Sequence, residues 1–101
     1  MTKILETFPV LTKNDVRSTS SGATGRDVLL SERALSLFRY AVECKSRKQI
    51  AVYRDFEQAR QHCTSGEVPL LVIKENNEEP LAVIPLNHFM KLVKNENNGN
   101  T

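Results

Sequence analysis

The run Val68-Pro69-Leu70-Leu71-Val72-Ile73 is apolar at successive positions rather than alternate ones. Successive side chains of a strand point to opposite faces of a sheet. A strand of this composition therefore needs apolar cover on both faces, which predicts a central strand. Upstream, Val52, Phe56, Ala59 and Cys63 recur at the i, i+4, i+7, i+11 spacing of an amphipathic helix over residues 51–63. Residues 39–45 read as a second strand. The strand–helix–strand passage over 39–73 should be a right-handed crossover. The expected fold class is α/β, with a central mixed sheet of four to five strands flanked by helices.

Weaker signals place the remaining segments. Residues 1–14 form a partly ordered N-terminal segment in which Leu5, Phe8, Val10 and Leu11 can pack, while Pro9 prevents a continuous helix. Residues 15–20 have β character, and the small polar residues from Ser18 to 25 read as a loop or tight turn. A short apolar strand covers 28–30. Ser31 is an N-cap for a short helix over 32–37, with Ala34, Leu35 and Phe38 turned inward. Thr64-Ser65-Gly66 ends the amphipathic helix, with Gly66 near the first position beyond it. Asn76-Asn77-Glu78-Glu79 reads as a hairpin turn into a strand over 80–84. Leu86, Phe89, Met90 and Val93 mark a last short helix, and 95–101 form a polar, Asn-rich tail expected to be disordered. The folded domain is expected to span 15–94.

A chain of 101 residues forms one domain with a modest core. Its net charge of +2 is too small to argue for nucleic acid by itself. Local basic groups matter more: Arg47 and Lys48, then Arg54 and Arg60 on the following helix. No segment has the apolar length of a membrane span, and the first residues lack a signal-peptide core, so no membrane association is expected. Cys44 and Cys63, without a disulfide framework, point to a reducing, cytoplasmic compartment and read as structural thiols, with Cys44 in the core. His62 and His88 have no partners at zinc-binding spacing. Tyr40 and Tyr53 read as packing residues. With no Gly-rich phosphate loop and no Gly-X-Ser-X-Gly motif, no nucleotide cofactor and no serine-esterase chemistry are expected.

The chemistry gathers in Phe38-Arg39-Tyr40-Ala41-Val42-Glu43-Cys44-Lys45. Glu43 and Lys45 fall on one face of the strand by period-2 geometry, and a charged pair at the end of a buried strand is costly to desolvate. Such costs are borne more often at sites than in plain cores. Gly25-Arg26-Asp27 leads into the apolar run Val28-Leu29-Leu30. If the two strands lie together, Asp27 and Glu43 give an oxygen-ligand site for Mg²⁺, with Mn²⁺ as a substitute. The competing reading is an exposed salt bridge between Glu43 and Lys45.

This arrangement resembles the PD-(D/E)XK nuclease superfamily. Glu43-Cys44-Lys45 matches the (D/E)-X-K triplet and Gly25-Arg26-Asp27 the upstream acid, with Arg26 where the family name has proline. The order of parts over residues 15–90 is similar to archaeal-type Holliday junction resolvases and related small phage endonucleases. The resemblance implies a restriction-endonuclease-like core and metal-dependent hydrolysis of DNA, with branched DNA among the expected substrates. It assigns Asp27, Glu43 and the Cys44 backbone carbonyl as metal ligands. Lys45 would orient the attacking water or stabilise the transition state, and the residues do not separate those roles. Arg17 and Ser20 would lie near the scissile phosphate, or else belong to a solvated turn. Arg47, Lys48 and Gln49 would contact the DNA backbone, or form a solvated loop. Gln58 would reach toward the site, or face solvent. Phage origin would place the protein in bacterial host cytoplasm.

The resemblance departs at the N-terminus, where the resolvases carry a glutamate on a longer helix. Glu6 is the sole acidic residue of 1–14, and nothing in the sequence places it at the site. Two alternatives therefore stand beside the endonuclease: a catalytically weak or inactive DNA-binding module on the same fold, and a protein-interaction subunit. Symmetric two-strand cutting by so small a chain implies a homodimer, with Leu5, Phe8, Val10 and Leu11 as the expected contact surface.

Overall fold

A computed structural model describes residues 2–18, 28–46 and 50–99. In chain order the elements are α1 (Thr2–Thr7), β1 (Val16–Ser18), β2 (Val28–Leu30), α2 (Glu32–Leu37), β3 (Tyr40–Ser46), α3 (Val52–Gln61), β4 (Val68–Lys74), β5 (Leu81–Val83) and α4 (Leu86–Gly99). The fold is α/β, as the sequence pattern predicts.

β4 is the central strand that its composition requires. It runs parallel to β3, with Glu43 opposite Leu71, and antiparallel to β5. Helix α3 packs on both β3 and β4, so the passage between the parallel strands crosses over one face of the sheet. Pro69 lies below the β5 pairing, which begins at Leu71. Only β3 neighbours β4 there, and a strand tolerates proline where it has one neighbour.

The sheet is smaller than expected. β3, β4 and β5 form a mixed three-stranded sheet, while β1 and β2 form a separate antiparallel pair. β2 touches β3 without laddering to it. The reason is local: β2 ends at Leu30, and the very next residue caps α2. A three-residue strand leaves no length for a second ladder.

Each face of the three-stranded sheet has its own apolar cover. On one face Val42 packs with Ile4, Leu11, Val16, Val28 and Ala34, joined by Phe8, Tyr40 and Val72. Phe8, Phe38, Tyr40 and His88 form a chain of ring contacts, with centroids 6.4, 4.7 and 5.3 Å apart. On the opposite face Ala41, Phe56, Ala59 and Leu71 are buried between α3 and the strands. The N-terminal residues thus serve the chain's own core: Leu11 is buried, Leu5 and Phe8 pack against it, and only Val10 of the four is exposed. Removing the first 12 residues would open this core rather than free an interface.

Turns and ends follow local chemistry with three corrections. Gly66 takes φ +85°, and a Cβ there would collide with the Arg39 guanidinium, whose Nε donates to the Gly66 carbonyl at 3.1 Å. It sits in the turn after α3, which is capped at His62, and not at the helix end itself. Asn77 takes φ +64° in the β4–β5 turn, a conformation that asparagine tolerates. α4 continues to Gly99, past the Asn95 at which composition suggests that order ends. Tyr53 is 92% exposed and is not a packing residue, because it lies on the outer side of α3.

One polar cluster fixes the start of α2. The Ser31 hydroxyl donates to Asp15 Oδ1 at 2.7 Å and accepts from the Ala34 N–H at 3.0 Å. Asp15 Oδ2 accepts from the Thr12 N–H at 2.9 Å, and the Ser31 N–H donates to the Asp15 carbonyl at 2.9 Å. The Thr12 N–H bond, then the Ser31 bond, hold the Asp15 carboxyl below its ordinary pKa.

Two outcomes follow for stability. Ser31→Ala should cost about 1 kcal/mol in urea unfolding, because it removes a cap, and Leu71→Ala about 2–5 kcal/mol, because it empties the centre of the sheet. The Asp15 contribution is present above the ordinary carboxylate pKa of about 4 and is lost as pH falls through its lower folded value. Unfolding midpoints compared at neutral and strongly acid pH should fall less steeply for Asp15→Asn than for the wild type.

Candidate functional site

β3 carries the expected triplet near its carboxyl end. Its side chains alternate between the two cores. Tyr40, Val42 and Cys44 fall on the face of Ile4 and Phe8, and Ala41, Glu43 and Lys45 on the face covered by α3. Glu43 is only 5% exposed, on a strand otherwise lined by Ala41 and backed by Leu71. Lys45 is half-buried beside it. The exposed salt bridge that the triplet alone allows does not describe Glu43, whose carboxylate is held inside.

Cys44 differs from expectation. It is exposed, although it lies on the apolar side. The cause is an open groove of about 490 Å³ between α1 and the strands, lined by Ile4, Phe8, Val42, Cys44, Val72 and Pro80. The groove ends at Cys44, so its thiol is not enclosed. Cys63 is half-buried at the end of α3, with its Sγ 3.5 Å from the Ala59 carbonyl.

Gln58 lies on α3 and is half-buried, so it is not fully solvent-facing. Arg17 is exposed on β1, opposite Leu29 of β2. Asp27, Ser20, Arg47, Lys48 and Gln49 lie outside the described residues. Glu6 is exposed on α1, whose apolar residues pack on the Val42 face. It is therefore across the sheet from Glu43, and the N-terminal acid of the resolvases has no counterpart here on the Glu43 face.

One buried carboxylate escaped the sequence reading. Asp55 is fully buried in the first turn of α3, next to the buried Phe56, with Arg54 Nε 3.9 Å from its Oδ1. The signal was present: 52, 55, 56 and 59 are the i, i+3, i+4, i+7 positions of one stripe. An acidic residue at the second of these is anomalous for a helix facing a core. Glu43 and Asp55 thus enter one helix–sheet interface from its two sides.

Glu43 supplies a hard oxygen donor of the kind Mg²⁺ takes. Among the described residues no group of three or more His, Cys, Asp or Glu side chains is arranged to hold a metal. A separate cleft of about 460 Å³ lies where β4 ends, lined by Ile50, Val52, Ile73 and Leu81 with Glu75, Glu78 and Glu79 on its rim. Its glutamates disfavour a phosphate backbone, and neither Glu43 nor Lys45 lines it.

No family model, curated protein or solved structure matches the chain. Among the described residues no helix is long and apolar enough to cross a membrane.

The burial difference within the triplet is measurable. Glu43→Ala should lower unfolding stability by about 1–3 kcal/mol, through the space and hydrogen bonding it removes. Lys45→Ala should stay within about 1 kcal/mol of the wild type. Equal losses in urea titration would mean that the Glu43 carboxylate is as wet as the lysine.

Proposed function

We propose that this chain is a Mg²⁺-dependent DNA endonuclease of the PD-(D/E)XK type, acting on DNA in the manner of a Holliday junction resolvase. The observation that carries the reading is Glu43: a carboxylate buried on the α3 face of a parallel strand, with Lys45 next to it on that face. A structural role alone does not favour burying a carboxylate there, since apolar replacement of buried charge is commonly neutral or stabilising. The carboxyl ends of parallel strands are also where α/β folds place ligands.

Asp27 is the second carboxylate of the proposal. Val28 faces the Val42 core and Leu29 is exposed. Asp27 itself lies outside the described residues, and β2, which begins at Val28, adjoins β3. Asp27, Glu43 and the Cys44 carbonyl would hold Mg²⁺ or Mn²⁺. When bound, such an ion eases deprotonation of water and neutralises charge on the phosphate. Lys45 donates hydrogen bonds to the attacking water or to the phosphate oxygens as negative charge builds there. The attacking water forms the new P–O bond, the bond to the sugar oxygen breaks, and that oxygen takes up a proton. Arg17, Ser20, Arg47, Lys48 and Gln49 bind the backbone, and Gln58 borders the chemistry from α3.

The position of Glu6 favours a second reading, a DNA-binding module that cuts weakly or not at all. With no N-terminal acid on the Glu43 face, the ion has fewer protein ligands. A panel of four-way junction, flap, nicked and duplex DNA, with and without Mg²⁺ or Mn²⁺, separates the two readings.

The endonuclease reading predicts that Asp27→Ala and Glu43→Ala each abolish metal-dependent cleavage while the circular dichroism of the fold persists. Lys45→Ala should slow cleavage by about 10²-fold or more with DNA affinity unchanged. Replacing Arg47 and Lys48 together should weaken binding to all sequences alike and reduce the salt-dependence slope by roughly one unit per lost phosphate contact. Normal cutting by Glu43→Ala would exclude the assignment.

A further inference from the structure

Helix α4 is attached to the body by the wrong side for a monomer. At about 100° per residue, Leu86, Phe89, Met90 and Val93 share one stripe roughly 100° wide, and His88 lies nearly opposite it. His88 is the residue that meets the body, with Nε2 2.6 Å from the Tyr40 hydroxyl. Burial keeps the Tyr40 pKa above its ordinary value, so the hydroxyl retains its proton. Most of the apolar stripe consequently points away from the core: Leu86 is 72% exposed, Phe89 49% and Met90 54%, while Val93 is half-buried. Among the described residues no element packs extensively along α4.

A helix of 14 residues is marginal without tertiary support. The asparagines of its last turns are poor helix formers. One hydrogen bond at its first turns does not supply that support. The helix is ordered along a face that the rest of the chain leaves bare.

We propose that this stripe is the contact between two copies of the chain, paired α4 against α4 about a two-fold axis. A two-fold contact needs one self-complementary patch, and a narrow apolar stripe is self-complementary. Its size fits: the stripe exposes on the order of 400 Å² per copy, the apolar half of the roughly 800 Å² that a standard interface buries per partner. Its borders fit as well, because Lys94 flanks one side of the stripe and Glu96 the other. Parallel pairing about the axis sets opposite charges along the two seams. A lipid surface is the poorer occupant, since interfacial helices carry a strongly basic polar face. Here Lys91 and Lys94 are offset by Glu96 and diluted by asparagines. The pairing does not depend on the nuclease reading.

Sedimentation of the wild-type chain at micromolar concentration should give a dimer. Phe89→Glu combined with Met90→Glu should sediment as a monomer with unchanged circular dichroism, and Tyr53→Ser, at an exposed site on α3, should remain a dimer. If the double variant loses secondary structure, Leu86→Lys tests the same stripe. A monomeric wild type overturns the proposal, as does a dimer that survives the stripe substitutions. A monomer that floats with phosphatidylglycerol vesicles overturns it in favour of a lipid surface.

Discussion

The parallel pairing of β3 with β4 is the interaction on which the other elements depend. Parallel neighbours require a crossover, and α3 is that crossover. A strand buried on both sides needs a second layer, which α1 and the β1–β2 pair provide through Ile4, Val16 and Val28. Leu71, fully buried at the middle of β4, is the residue that the α3 layer closes over, while Leu70 and Val72 face the other layer. Losing that pairing would strand α3 and the N-terminal segment together, since neither has another apolar surface to cover.

The cost that this architecture carries is the pair of carboxylates at the α3–sheet interface. Glu43 enters from β3 and Asp55 from α3, each almost wholly removed from water. Charge taken from water costs several kcal/mol per ion before its contacts offset it. A fold selected for stability alone would set leucine or methionine at such positions. Two buried acids on facing elements, with a half-buried lysine beside one of them, are a concentration of electrostatic cost that function explains more readily than packing.

Much of this was legible before the structure, and the misses have physical causes. Successive apolar residues at 68–73 identified β4, the i, i+4, i+7 spacing identified α3, and Ser31 announced its own cap. The sheet was overcounted because strand propensity in 28–30 does not reveal that Ser31 ends the strand at once. The disordered tail was inferred from asparagine content, yet a helix already nucleated at 86–94 propagates into poor formers. Hydrophobicity marks Leu5, Phe8, Val10 and Leu11 as a surface for a partner without saying which apolar neighbour is nearer; three of them face the chain's own core and Val10 stays exposed. Alternation along β3 sets Glu43 and Lys45 on one face of the strand. It did not reveal Asp55, since a single acid on an apolar stripe looks like an exception until burial is known.

The period of two along β3 has a further consequence for how the molecule divides its tasks. On one side of that strand Tyr40 joins the ring chain running from Phe8 to His88, and Val42 joins the core of Ile4, Val16 and Val28. All the charge, Glu43 and Lys45, lies on the other side under α3. A one-residue slip of β3 against β4 would exchange the two sets, sinking the Tyr40 ring among Phe56 and Ala59 and leaving both charges in the N-terminal core. Register is therefore enforced from both faces at once. The Arg39 carbonyl accepting from the Val68 N–H at 2.8 Å, and the Arg39 side chain on Gly66, pin that register at its first pair. The same clamp that aligns the strands thus keeps a carboxylate and a lysine on the side of the sheet that α3 covers.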